Sequence, residues 1–433
     1  MVVNGTYEIE EVFGGGNGLD KISKNGTLIT NPGANVGFKD YWDYTNEKDL
    51  EDYDTKEERL TNTTFLANYV YGSGKASVDI YGGLVHRVFG GSNTRGNVRE
   101  AAVTMLQDME GCDFKIDEAY GGGKSAPMDA EAKLLMACIP GLSVAYGGAQ
   151  DADVQGGVTM TITNGTFDRV FGGNNISGTI NGPIVVNIEE TGCRPIVIGQ
   201  LYGGGNQAAY TAPWKDENDH SKGRKDGPTV NVKSFTSIGE IYGGGYGETA
   251  AVNGDTYVNI DVTEGKWASE ETTEDKIKEI KFSEFKRTSN GGFELDGDGN
   301  RIEETKTITV TIPGHKANAI GAIGNVFGGG NAAKVDGNTN VNIGTRMGAD
   351  EYMAVVDVPT NVAGLYTRSG EGTTESPYKY TEVTGTSVAP SSGTTYYKNY
   401  TIKGADIRGN VYGGGNNADV TGNTNVVIGK KAE

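Results

Sequence analysis

The sequence predicts an all-β protein, a parallel β-helix or β-solenoid of about nine glycine-rich turns with loops or small β modules inserted between them. Three observations lead there. An aliphatic–aromatic–glycine signature recurs along the whole chain. Glycine supplies 68 of 433 residues without a Gly-X-Y period, which excludes collagen. Short runs alternate apolar residues with Thr and Asn, the pattern of a strand with one buried face.

The signature places its ring at Phe13, Phe89, Tyr120, Tyr146, Phe171, Tyr202, Tyr242, Phe327 and Tyr412. The spacings are 76, 31, 26, 25, 31, 40, 85 and 85 residues, so 25–26 approximates one uninterrupted turn and the longer ones carry insertions. Two copies, VFGGGNAAKVDGNTNVNI from Val326 and VYGGGNNADVTGNTNVVI from Val411, align without a gap. Their alternating strand ends recur at Met160–Ile162, Val186–Ile188, Val230–Val232 and Val258–Ile260. Ala130–Cys138 has helical propensity, yet it aligns with the same strand, Leu134 matching Val341 and Met136 matching Ile343, and is read as a strand. Three residues before the anchor aliphatic stands another apolar residue, among them Ile9, Val85, Phe167 and Ile323. Ile407 replaces it by a one-residue shift in the last copy. That spacing fits a chain that turns a corner and points inward at both ends. One turn cannot bury its apolar face alone, whereas stacked turns share a core, so residues 1–433 read as a single unit of roughly 43 Å. Glycine at the corners suits positive φ and close stacking, and the rings are expected to form a packed ladder.

Insertions are expected at 36–74, 211–227, 264–305 and 348–400. The third reads as a short helix over Glu274–Phe285 followed by a hairpin between Phe293 and Ile302, and the last as a small β module. Insertions in such stacks tend to gather on one side, where binding occurs.

The net charge of −19 disfavours nucleic acid and anionic membrane surfaces as partners. No stretch is apolar enough to span a bilayer, so membrane insertion is not expected. Met1–Glu11 lacks the pattern of a signal peptide. Asn4–Tyr7 resembles Asn164–Phe167, the approach to another copy of the signature, so the chain reads as a fragment beginning inside a repeat. Cys112, Cys138 and Cys193 are expected as buried free thiols at similar places on nearby turns, with a Cys112–Cys138 bridge as the alternative.

The run AYGGGKSAPMDAEAKLLMACIPGLSVAYGGA, then TNGTFDRVFGGNN and VNIEETGCRPIVIGQLYGGGNQA, resembles the YGGGN repeats of large surface proteins of anaerobic gut bacteria. With the copies at Val326 and Val411 the likeness covers about half of the chain. It implies an extracellular or cell-surface, β-solenoid-like fragment of a larger secreted protein, with no catalytic residues to carry over.

The expected function is therefore that of a structural scaffold or adhesin-like module, not an enzyme, binding a glycan or a surface protein. Candidate contacts are Tyr41, Trp42, Tyr44 and Tyr53 in the first insertion and Tyr378, Tyr380, Tyr396 and Tyr397 in the last. The alternative is a carbohydrate-active lyase or hydrolase, whose carboxylates and base would come from the corner positions His86, Arg87, Asp117, Glu118, Asp168 and Arg169. The same residues also read as a solvated stripe of charge pairs. A third reading is a subunit that self-associates end to end. No cofactor is expected, with Ca²⁺ kept as the alternative. Asp296-Gly-Asp298-Gly-Asn300 opens like a Ca²⁺ loop, but Arg301 and Thr307 stand where that loop needs Gly and Glu, and a tight hairpin explains it better. His86, His220 and His315 lie too far apart in the repeat for zinc.

Overall fold

The computed structural model describes residues 1–3, 5, 8–18, 21–24, 27–30, 35–37, 74–108, 114–191, 194–263, 272, 274–315, 321–345, 353–356, 365–370, 376, 379–383, 395–399, 402–403 and 405–429. These are almost entirely strand and turn. Two ten-stranded parallel sheets dominate, and the chain visits them alternately. It runs through Lys75–Ile80 of the first sheet, Gly83–Phe89 of the second, Ala101–Gln107 of the first and Phe114–Tyr120 of the second, and continues so to Thr424–Ile428. A third, short parallel sheet joins Tyr210–Thr211, Val252–Asn253 and Val335–Asp336.

Register is held by the repeat. In the first sheet Leu134 lies between Thr104 and Met160, and Met136 between Leu106 and Ile162. Glu131–Ala137 is thus a strand, with Ala132, Leu134 and Met136 buried. Its helical propensity loses to a buried alternation that only a strand can align with its neighbours. Between those core residues, outward Asn side chains form a column: Asn231 donates to Asn187 (3.1 Å), Asn259 to Asn231 (2.9 Å) and Asn342 to Asn259 (2.9 Å).

In the second sheet both the residue four before the ring and the residue one before it enter the core in all copies but the last, as Val85 with Val88 and Ile198 with Leu201 do. An odd spacing cannot put two residues on one face of a flat strand. The chain resolves this at the residue three before the ring, where His86, Asp117 and Gly199 have no Cα partner in the register. The strand bends there. In the last copy Ile407 pairs with Ile323 and packs on the core, replacing the expected position.

The nine rings stack in one column with centroids 4.7–5.2 Å apart and planes within 12°. They form an apolar cluster separate from the aliphatic core. The glycine after each ring is required by proximity, not by φ. A Cβ on Gly172 would meet the Gly203 carbonyl oxygen at 2.4 Å, and Gly172 is not among the positive-φ residues.

Two expectations are corrected. Residues 276–285 are not helical: Lys276–Phe285 pairs antiparallel with Glu303–Ile312 over ten residue pairs. The alternation of Ile280, Phe282 and Glu284 toward the stack, against a partner rich in Thr, Ile and Val, outweighs the helix preference of its Lys and Glu residues. Cys138 is disulfide-bonded and half-buried, not a free thiol; Cys112 and Cys193 lie outside the described residues. The tip of the hairpin folds as expected. Arg287 bridges Phe293 and Leu295 bridges Arg301, and Asp296 turns back to accept from the backbone N–H of Asp298 (2.9 Å) and Asn300 (2.8 Å). The last insertion contains a four-stranded antiparallel sheet of Met353–Val356, Leu365–Ser369, Lys379–Glu382 and Tyr396–Asn399. Among the described residues no helix is long and apolar enough to cross a membrane.

Candidate functional site

The corner positions singled out from the sequence do stack, Arg87 pairing with Glu118, and Val144 with both Glu118 and Arg169. Their side chains are mostly engaged with one another. His86 bonds Asp117 through Nδ1 (2.7 Å) and Glu8 through Nε2 (2.8 Å). Those two hydrogen bonds raise its pKa above the ordinary histidine value. Arg87 meets Glu10 at 3.0 Å and Glu11 at 2.9 Å, and Glu11 also receives Lys124 at 2.8 Å. The Tyr120 hydroxyl donates to Glu118 (2.9 Å), whose carboxyl is pushed up chiefly by burial. This is a cross-copy network of charge pairs.

Asp168 and Arg169 differ. The inserted hairpin lies over them. Arg169 is 1% exposed, with its guanidinium 3.9 Å from the Phe282 ring centroid, 4.3 Å from Tyr246 and 4.7 Å from Phe171. Its one hydrogen-bond acceptor among the described residues is Asn206 at 3.3 Å, and its Nε has none. Asp168 pairs with Lys278 of the hairpin. Ile280, Val310 and Ile312 seal the hairpin against the sheet at Val197. Gln207 binds the Phe285 backbone from both sides, accepting its N–H at 3.1 Å and donating to its carbonyl at 2.7 Å. Arg301 reaches Asp151 at 2.5 Å.

Held this way, the hairpin forms one wall of a cleft of about 1270 Å³. The opposite wall comes from the polar loop at Pro213–Arg224, and the floor from turns beside the third sheet, such as Thr179, Ala208 and Thr249. Two of the insertions expected from the sequence therefore meet at one site. At the lip, Trp214 stacks on His220 (4.1 Å, 11°) and lies 3.8 Å from the Arg224 guanidinium. On the hairpin wall, Glu284 and Glu304 sit opposite each other on paired strands, with Lys306 Nζ 2.7 Å from the first and 3.4 Å from the second. Burial lowers the Lys306 pKa and the Glu284 contact raises it, with a net rise. The Glu284 side chain is only 4% exposed, and its Oε1 finds no donor among the described residues. Arg287 donates to the carbonyls of Ile176 and Gln207 (2.5 and 3.5 Å), while its Nε has no acceptor there. Burial first, and then Arg301, lowers its pKa.

The tyrosine candidates fare less well. Tyr397 is 6% exposed, edge-on to Tyr380 at 5.5 Å and under Arg368 at 4.8 Å, so it packs within its own sheet. Tyr380 and Tyr396 are half-buried in the same sheet. Tyr41, Trp42, Tyr44, Tyr53 and Tyr378 lie outside the described residues. The cleft residues Trp214, Tyr246, Glu284, Arg287 and Lys306 were not among the sequence candidates. Reading 274–285 as a helix hid which side chains share a face; the alternation from Ile280 to Glu284 was the signal available. Among the described residues no group of three or more His, Cys, Asp or Glu could hold a metal ion.

The fold and site define a repetitive, nearly all-β protein of long parallel sheets with an insertion-walled cleft. No family model, curated protein or solved structure matches the chain.

Proposed function

We propose that the chain is a β-solenoid scaffold that works by binding and display outside the cell, and that the cleft between its second and third insertions is the binding element. The observation that carries this reading is the contrast between a regular stack, with register and ring column preserved from copy to copy, and a large recess that two departures from the repeat wall off over its turns. Strand order supports the solenoid, since successive strands alternate between two parallel sheets and successive copies are neighbours in each. The disulfide at Cys138 supports an oxidising compartment, and the acidic surface supports solubility and disfavours nucleic acid. Glycans and surface proteins remain the two ligand classes that fit.

The test is to screen the purified chain on a glycan array and on immobilised extracellular proteins, alongside lyase and hydrolase assays on a polysaccharide panel. Binding without turnover is expected, and no binding in either screen overturns the reading. A hydrolytic reading is favoured by one observation, the facing Glu284 and Glu304 carboxylates in the cleft. Product release that disappears in both Glu284→Gln and Glu304→Gln would replace the binding reading with that one.

A further inference from the structure

Resting on that binding reading, we propose that the cleft takes a neutral oligosaccharide, with Glu284 and Arg287 on the hairpin wall as its polar anchors and Trp214 at the lip as its aromatic contact.

Size comes first. Pockets for single small ligands span about 300–1,000 Å³, and this cleft, at about 1270 Å³, has room for a chain of sugar units. Charge comes second. The lining holds three cations (Arg224, Arg287, Lys306) against four carboxylates (Glu217, Glu248, Glu284, Glu304), a difference of one. Lys306 is already committed to two of those carboxylates. A polyanion would meet Glu217 and Glu248 without a free basic cluster, and a polycation would meet Arg224 and Arg287. A neutral ligand is opposed by neither.

The unmet hydrogen-bonding groups favour a hydroxyl-bearing ligand. Glu284 is more than nine-tenths buried and has an acceptor, Oε1, with no donor among the described residues. Arg287, three residues along the same wall, has a donor, Nε, with no acceptor among them. Leaving such groups unpaired is unfavourable, more so when they are charged. A hydroxyl serves both, since it donates once and accepts twice. Both atoms are closed over by neighbouring atoms, so the ligand must move the side chains slightly as it seats, as in sites that tighten on binding. A ligand with several hydroxyls along a ring that also offers an apolar face matches this wall together with the rings of Tyr246 and Phe285, while Trp214, its faces held by His220 and Arg224, offers its edge.

The experiment is isothermal titration of the full chain with short neutral oligosaccharides and with uronate oligosaccharides of the same length, repeated on Glu284→Gln and Trp214→Ala. Circular dichroism and melting serve as fold controls. Neutral ligands are expected to bind, uronates to bind more weakly, and both variants to lose at least about tenfold in affinity. Preference for uronates overturns the proposal. So does neutral binding that neither variant changes; that result leaves the scaffold reading standing and moves its site elsewhere. Failure to bind any glycan while a surface protein is captured likewise removes this ligand class alone, whereas failure with both classes removes the binding reading as well. If Glu284→Gln does not fold, Trp214→Ala, in a surface loop, decides the test alone.

Discussion

His86–Arg87 and Asp168–Arg169 occupy the same two positions in different copies of one repeat, just ahead of a stacked ring. At the first corner the side chains face water and pair with carboxylates of adjoining copies. At the second, the inserted hairpin covers the corner, and Arg169 is packed among aromatic rings with a single long hydrogen bond among the described residues. Exposed ion pairs contribute up to about 1 kcal/mol; a desolvated cation on aromatic faces contributes about 2 kcal/mol or more. Equivalent backbone positions therefore carry unequal weight, because an insertion far along the chain decides which corner is dry.

The ring column runs beside both corners and sets the scale. Tyr202→Ala removes a fully buried ring stacked on both sides, and should cost about 3–5 kcal/mol in denaturant unfolding. A loss under about 1 kcal/mol would show that the column is not cohesive. Next comes the direct contrast. Arg169→Ala should cost roughly 2–3 kcal/mol and Arg87→Ala less than about 1 kcal/mol; equal losses would break the comparison.

The cover itself can then be lifted. Ile280→Asp puts a charge where Ile280 is 2% exposed between hairpin and sheet. Hydrogen exchange should show protection lost across 276–312 and kept at Ile196–Tyr202. In the double variant the cost of Arg169→Ala should shrink, a coupling of roughly 1 kcal/mol; strict additivity would mean the hairpin does not create the dry corner.

The smallest effect is at the open corner. Because the His86 pKa is raised, its bridge to Glu8 and Asp117 is fully present below the ordinary histidine value of about 6.5 and fades as the pH rises through the raised one. An NMR titration should place His86 above that value, and Asp117→Asn should bring it down. A titration at or below the ordinary value would dissolve the bridge.

Much of the stack was legible beforehand. Val341 and Ile343 announce a strand by alternation, and the spacing of Val85 and Val88 announces a bend, because burial acts alike on the copies inside the stack and leaves a period. Glu131–Ala137 was legible only through that period, against its own propensity. The cleft was not. Glu284 and Lys306 meet because Lys276–Phe285 pairs with Glu303–Ile312, and nothing within either segment fixes that partner. Trp214 and Arg287 come from separate insertions that carry no repeat to align. Cys138 stands just past the end of the strand Glu131–Ala137, and its bonded state depends on where another segment passes.

The sequence by itself determined the strands, their order in the stack and the column of rings, since a pattern repeated at nearly fixed spacing imposes one register on its neighbours. Only the tertiary structure decided which corner is covered, which charges are desolvated and where a recess opens. Those depend on how nonrepeating segments fold back on the stack, and burial there is set by contacts between distant residues that no local spacing encodes.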